Sequence, residues 1–205
     1  MTGMGLWIGP GMLVLASKSE SRHAILQAAG IPHEVEPADI DERLVERRAG
    51  AGHAAQVAEL LAREKARVVS ARRPGALVLG ADQTLALGER RYSKPRDRAS
   101  AREQLLLLRQ RTHELHSAIA IARDGRLLFE HREVARLTMR SFSEAFLEAY
   151  LDAVGSASTT SVGGYQLERA GIQLFEGIEG DHFVILGLPL LALLQFLRRE
   201  GVLMK

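Results

Sequence analysis

Apolar and polar positions alternate between two periods along this chain. Met12–Ala16 is a short apolar run of the kind that forms a buried strand, and Leu77–Leu79 is another, closed by Gly80. Between them, Ala24–Ala29 carries helical spacing. Ser17 and Glu20 stand at capping-box distance before it, and Gly30 follows as a stop. His33–Glu36 reads as a second strand and Pro37–Glu42 as an acidic loop. His53–Ser70 places Val57, Leu60, Leu61 and Val68 on one helical stripe, with Lys65 at its margin. Further on, Ser100–Leu108 predicts a helix. Leu115–Ala122 and Arg126–Thr138 predict a hairpin joined at Asp124-Gly125, and Ser143–Val154 predicts another helix. Val162–Leu167 and Ile172–Phe175 read as short strands. Leu186–Leu197 reads as a buried helix opened by Pro189, too short to span a bilayer.

Strands and helices thus alternate, and a hairpin interrupts them. The expected class is α/β: a mixed sheet flanked by helices, forming one domain over residues 12–205. Residues 1–11, apolar and Gly-rich without a charged start, are expected to be a loose extension and make a poor signal peptide.

Composition narrows the chemistry. With 205 residues the chain can bury a full core, and 46% apolar and 25% charged residues are ordinary for a globular protein. The absence of cysteine excludes disulfides, thiolate metal sites and cysteine nucleophiles, and suits a reducing, cytoplasmic setting. A net charge of +2 without any long basic run gives no case for a nucleic-acid polymer as partner, and no segment argues for a membrane. His113 and His116 have a metal-like look, but i and i+3 on a strand face opposite ways.

Candidate chemistry centres on Gly80-Ala81-Asp82-Gln83. A carboxylate just past a buried strand stands where α/β folds place ligands, although Asp82 could equally start an ordinary loop. Ser17-Lys18-Ser19, between a strand and a helix N-terminus, offers N–H and hydroxyl groups to an anion, or simply caps the helix.

Several fragments occur in one order: Ala16-Ser17-Lys18-Ser19 with Arg22, Glu34, Glu64-Lys65-Ala66, Gly80-Ala81-Asp82, Lys94-Pro95, Gly164-Tyr165, Ile178-Glu179-Gly180 and Gly187-Leu188-Pro189. Together they resemble the Maf family of nucleoside triphosphate pyrophosphatases, first discussed as septum-formation inhibitors, from about Leu13 to Gly201. The resemblance implies a fold of the Maf and inosine-triphosphatase kind, two lobes around a nucleotide cleft, commonly dimeric. It implies hydrolysis of a nucleoside triphosphate to monophosphate and pyrophosphate with Mg²⁺ or Mn²⁺. Asp82 would be the proton acceptor and a metal ligand, Glu34 would help hold the metal, and Ser17, Arg22, Lys65 and Lys94 would hold phosphates.

The chain departs from the family at Ser19-Glu20-Ser21-Arg22, where Ser-Pro-Arg-Arg or Ser-Pro-Trp-Arg is usual. Ser21, Gln83 and Glu168 stand at the three positions that separate the family's branches. Gln83 and Glu168 resemble the branch acting on 7-methyl-GTP, while Ser21 lacks that branch's aromatic ring. A carboxylate at Glu168 could accept from both donors on one guanine edge. The expected substrate therefore leans to 7-methyl-GTP; the alternatives are dTTP and UTP, or a non-catalytic nucleotide-binding regulator of cell division.

Overall fold

The computed structural model describes residues 5–50 and 52–205. The elements in chain order are β1 (Leu13–Leu15), α1 (Glu20–Ala28), β2 (His33–Val35), α2 (Glu42–Ala49), α3 (Ala54–Ser70), β3 (Val78–Leu87) and β4 (Arg90–Tyr92). They continue with α4 (Arg98–Leu108), β5 (Thr112–Arg123), β6 (Arg126–Met139), α5 (Glu144–Val154), β7 (Phe175–Glu179), α6 (His182–Ile185) and α7 (Leu190–Arg199). The seven strands form one mixed α/β sheet in the order β2-β1-β3-β5-β6-β7, with β4 pairing with β3. β1 pairs in parallel with β2 and β3, while β3–β4 and β6–β7 are antiparallel. The chain forms two compact units. The first comprises the described part of Met1–Gln83 with Ser117–Glu133 and His182–Lys205; the second comprises Thr84–His116 and Val134–Asp181. The chain crosses the boundary inside β3, β5 and β6 and once more between β7 and α6, so no single linker in the sequence marks it.

Local chemistry sets most element ends. Ser19, not the Ser17–Glu20 pair, caps α1 by accepting from Arg22 N at 3.4 Å. α2 takes over the end of the expected acidic loop, because Asp41 accepts from Leu44 N at 2.9 Å and Gly50 closes the helix with φ 59°. Asp97 caps α4 through a reciprocal pair with Ser100, so that helix starts at Arg98. Asp124 and Gly125 both take positive φ, 53° and 75°, as a tight two-residue hairpin requires. The expected strands at Val162–Leu167 and Ile172–Phe175 are 3-10 turns over Val162–Gly164 and Ala170–Leu174; only Phe175–Glu179 joins the sheet. Gly163 and Gly164 have φ 84° and 75°, which strands do not accommodate. The expected final helix is α7, starting at Leu190 after Pro189; Gly187, with φ 91°, separates it from α6, a short helix not expected from the sequence.

In the first unit, strand alternation builds two faces. Leu13, Leu15, Leu79, Ala81, Ile119 and Ile121 pack with Leu26 of α1 and with Leu193, Phe196 and Leu197 of α7. On the opposite face Ala118, Ala120 and Ala122 of β5 meet Ala58, Ala62 and Ala66 of α3. Burial on this second side is by small residues, which lets the helix backbone come close. Gly80 shows how close: a Cβ there would lie 2.1 Å from the Ala62 carbonyl oxygen and 2.6 Å from Ala66 N. Gly80 therefore does not end the strand; β3 continues through it to Leu87.

From Gly5 on, the expected loose extension is tied to the other end of the chain; residues 1–4 lie outside the described residues. Ile8 N donates to Val202 O at 2.9 Å and Met204 N to Leu6 O at 2.8 Å. Trp7 packs against the α1–α7 face of the core.

The second unit holds an aromatic cluster of buried His113 and Tyr165 with half-buried Phe175. His113 Nε2 lies 2.7 Å from the Tyr165 hydroxyl, and its Nδ1 is buried without a partner. Burial pushes the His113 imidazole down from 6.5 to about 4.

Two outcomes follow from these contacts. Gly80→Ala should cost about 3 kcal/mol in thermal or denaturant unfolding, because the clash is with backbone that cannot rotate away. His113 is neutral in the folded state and titrates near 6.5 when unfolded, so its contribution is complete above pH 6.5 and is lost as pH falls toward 4. The loss should total about 3 kcal/mol. His113→Phe should flatten that part of the pH–stability curve; an unchanged slope would refute the assignment.

Candidate active site

The close approach at Gly80 determines what comes next along β3. Asp82 lies two residues on, so its side chain leaves the strand on the same α3 face. It is not past the end of the strand, as the sequence suggested, but within it. Lys65, held on α3 between the buried Ala62 and Ala66, reaches it directly: Nζ lies 2.6 Å from Asp82 Oδ1. Both side chains are only 12% exposed.

Lys65 Nζ also lies 2.6 Å from Glu42 Oε1. Glu42 opens α2, and its side chain is half exposed. One ammonium thus stands between two carboxylates. Asp41-x-x-Leu44 is the sequence signal that could have revealed the helix start carrying Glu42.

Arg22 completes the charged set. Its buried guanidinium donates from Nη1 to Ser17 Oγ and to Ala81 O, both at 2.9 Å, and from Nε to Gly187 O at 2.8 Å. Ser17 Oγ also accepts from Ser19 N at 3.3 Å. Burial holds the Asp82 carboxyl above its usual range, against the pull of Lys65 and Arg22, and the nearby Glu42 charge adds to the rise. Burial also lowers Arg22, with Asp82 and Glu42 opposing, but a guanidinium stays charged.

Gln83, the next residue on β3, faces the other way. Its Nε2 lies 2.9 Å from Ser117 Oγ, 3.0 Å from Val184 O and 3.0 Å from Ile185 O, so the amide nitrogen is directed at α6. Ser21 lies half-buried in the first turn of α1.

Glu34, expected to help hold the metal, lies on β2. Arg73 donates from Nη2 to its carboxylate and from Nη1 to Glu36 at 3.1 Å. β2 is separated from β3 by β1, which puts about 10 Å of sheet between the two strands. The carboxylate that the structure brings to Lys65 and Asp82 is Glu42 instead. Lys94 and Glu168 belong to the second unit, where both are exposed. Lys94 follows β4. Glu168 sits in the turn after Gly163-Gly164-Tyr165, whose tyrosine ring is anchored beside His113.

Among the described residues, no group of three or more His, Asp or Glu is arranged to hold an ion. Asp82 and Glu42 nevertheless converge on one cationic nitrogen, a donor pair suited to Mg²⁺ or Mn²⁺, ions bound by one or two carboxylates plus water and phosphate oxygens. No helix among the described residues is long and apolar enough to cross a membrane.

A buried strand carboxylate with an ammonium and a guanidinium about it, on a mixed α/β sheet, is equipment for proton transfer beside a polyanion. The chain belongs to the family described as Maf-like protein, whose model matches residues 12–200. It is 57% identical over 200 residues to a nucleoside triphosphate pyrophosphatase of Rhodopseudomonas palustris (strain BisB18), covering 98% of this chain and 99% of that protein. Its identity to the protein of the same name from Bradyrhizobium diazoefficiens is 56%, with the same coverage. Its identity to that from Paramagnetospirillum magneticum is 54%, covering 93% of this chain and 99% of that one. Among solved structures, a HAM1 protein from Coxiella burnetii is a loose likeness: 19% identity, TM-score 0.40, over 62% of this chain and 72% of that one.

The Lys65 pairing has a measurable consequence. Removing one partner of a buried ion pair strands the other charge, so Lys65→Met should lower stability by about 3 kcal/mol. A surface lysine would change it by under about 0.5 kcal/mol. Adding Asp82→Asn should recover much of the loss in a double-mutant cycle of unfolding free energies.

Proposed function

We propose that the chain is a nucleoside triphosphate pyrophosphatase, hydrolysing a triphosphate to a nucleoside monophosphate and pyrophosphate. The observation that carries this reading is the buried Asp82 carboxylate, raised by burial and flanked by Lys65 and Arg22, in a chain 54–57% identical to proteins of that name. Water attacks the α-phosphorus and Asp82 takes its proton. The new P–O bond forms as the bond from that phosphorus to the bridging oxygen breaks, and pyrophosphate departs with the electron pair. Lys65 has three N–H donors, of which Glu42 and Asp82 engage two. The third serves a phosphate oxygen, and Glu42 keeps the ammonium in place while Asp82 turns to the water. Arg22, Ser17 and Lys94 supply further contacts to the phosphate chain. Asp82 and Glu42 would hold a divalent cation, which draws negative charge away from the triphosphate when bound.

The base reading is finer. We assign Gln83 and Glu168 to a guanine-type base, leaning to 7-methyl-GTP, with Ser21 leaving room where a ring would stack. The reading is supported by donor–acceptor matching: Gln83 spends its amide nitrogen on Ser117, Val184 and Ile185, so its oxygen is the end left for a base donor. Glu168 offers two more acceptors. Uracil and thymine present one donor between two carbonyls, a poorer match.

Asp82→Asn should reduce turnover by about 10²- to 10⁴-fold in a pyrophosphate-release assay, with the circular dichroism of the fold unchanged. Near-normal turnover by the folded variant would overturn the role of Asp82. In the same assay kcat/KM should be higher for 7-methyl-GTP and GTP than for dTTP and UTP. A pyrimidine triphosphate as best substrate would overturn the base reading and leave the hydrolysis standing.

A further inference from the structure

Arg22 and Gln83 reach the same short stretch of backbone from opposite sides. Residues 184–187 form the end of α6 and the turn after it. Val184 O lies 2.7 Å from Ser117 Oγ, which donates to it, and 3.0 Å from Gln83 Nε2. Ile185 O accepts from the same Gln83 nitrogen at 3.0 Å. Gly187 N closes the turn onto Val184 O, and Gly187 O accepts from Arg22 Nε at 2.8 Å. A Cβ on Gly187 would lie 3.3 Å from Arg22 Nη2 and 3.7 Å from Gln83 Cδ, so the glycine is wedged between the two side chains. Its φ of 91° excludes most other residues independently.

Ser117 is the fixed point of this arrangement. It is fully buried on β5 and bridges Gln83 Nε2, at 2.9 Å, to Val184 O. Its hydroxyl donates one bond and accepts another, which leaves the glutamine nitrogen facing the carbonyls. The turn so held presents Gly187 O to Arg22, whose remaining Nη1 contacts are Ser17 Oγ and Ala81 O.

We propose that Ser117 is a positioning residue for triphosphate binding: through Val184 and the Gly187 turn it fixes the Arg22 guanidinium, while the two N–H groups of Gln83 keep Val184 O and Ile185 O without it, so the effect falls on every triphosphate alike. This rests on the pyrophosphatase reading. Ser117 touches no reacting atom; its effect passes along a chain of hydrogen bonds that begins on β5 and ends on α1. A loosened turn leaves Arg22 with one fewer anchor. A buried guanidinium that must find its own place on each binding event binds phosphate less tightly.

The test is the steady-state kinetics of Ser117→Ala and Ser117→Thr with GTP, 7-methyl-GTP, ATP, dTTP and UTP, beside wild type, Arg22→Ala and the Ser117→Ala/Arg22→Ala double variant. Ser117→Ala removes one oxygen and creates no clash. It should raise KM by about 3- to 10-fold, by a common factor for all five nucleotides, with kcat changed by less than about 2-fold. Ser117→Thr keeps the hydroxyl and should keep the wild-type KM. In the double variant the Ser117 effect should disappear, since its route runs through Arg22. An unchanged KM in folded Ser117→Ala would overturn the proposal, as would a KM change confined to some bases or an additive double variant, with the hydrolase reading intact. No pyrophosphate release by wild type from any triphosphate would overturn both.

Discussion

The distance between helix α3 and strand β3 is the constraint on which the candidate site depends. It is set by what is missing: no Cβ at Gly80, and nothing larger than a methyl group at Ala58, Ala62 and Ala66 or at Ala118, Ala120 and Ala122. Large side chains at these positions would hold helix and sheet about 10 Å apart, the ordinary spacing of packed layers. A lysine on α3 would then have to extend to find the strand. Here it stands against it, and an ion pair forms at 2.6 Å inside a shell of small residues. The apolar core on the other face, built of Leu, Ile and Phe, supplies the burial that the alanine face gives up.

Burial and charge are balanced around Asp82 rather than minimised. Desolvation disfavours its charged form, and Lys65 and Arg22 oppose that. Glu42 adds a second negative charge on the same ammonium, so Lys65 is not committed to Asp82 alone. A carboxylate fully neutralised by one lysine makes a poor base, and one left alone in an apolar site would be protonated. The shared ammonium lies between these limits. Arg22 cannot fill the same role, because its guanidinium donates to a hydroxyl and two backbone carbonyls that hold it still.

The second unit is anchored differently. His113, Tyr165 and Phe175 pack together there beside fully buried Leu105, Leu108, Leu137 and Met139, with Tyr150 donating to Gly164 O at 3.3 Å. These rings fix the turns around Gly163 and Gly164, and the chain that leaves them carries Glu168. On α4 and α5, Arg98 and Arg102 pair with Glu144, Glu148 and Asp152 at exposed positions, where such pairs contribute little to stability. Buried apolar side chains, not surface ion pairs, hold that unit.

The local signals in the sequence were sufficient for several of the elements. The apolar runs at β1 and β3, the helical stripe of α3, the Asp124-Gly125 hairpin and the Ser143 cap all act within a few residues, so the chain carries them in linear form. The order of short fragments was also enough for the family, which residues 12–200 match. Tertiary structure decided what depends on partners distant in sequence. Gly80 reads as a strand end until the backbone of α3 is seen against it. Glu34 and Glu42 are indistinguishable as acidic residues near a proposed site. Strand order separates the first from Asp82 and gives it to Arg73, while the start of α2 brings the second to Lys65. Gln83 and Asp82 are neighbours in sequence but serve opposite faces, because a strand turns successive side chains apart. Short-range signals determine many of the segments; which charges share a nitrogen is determined only when the segments pack.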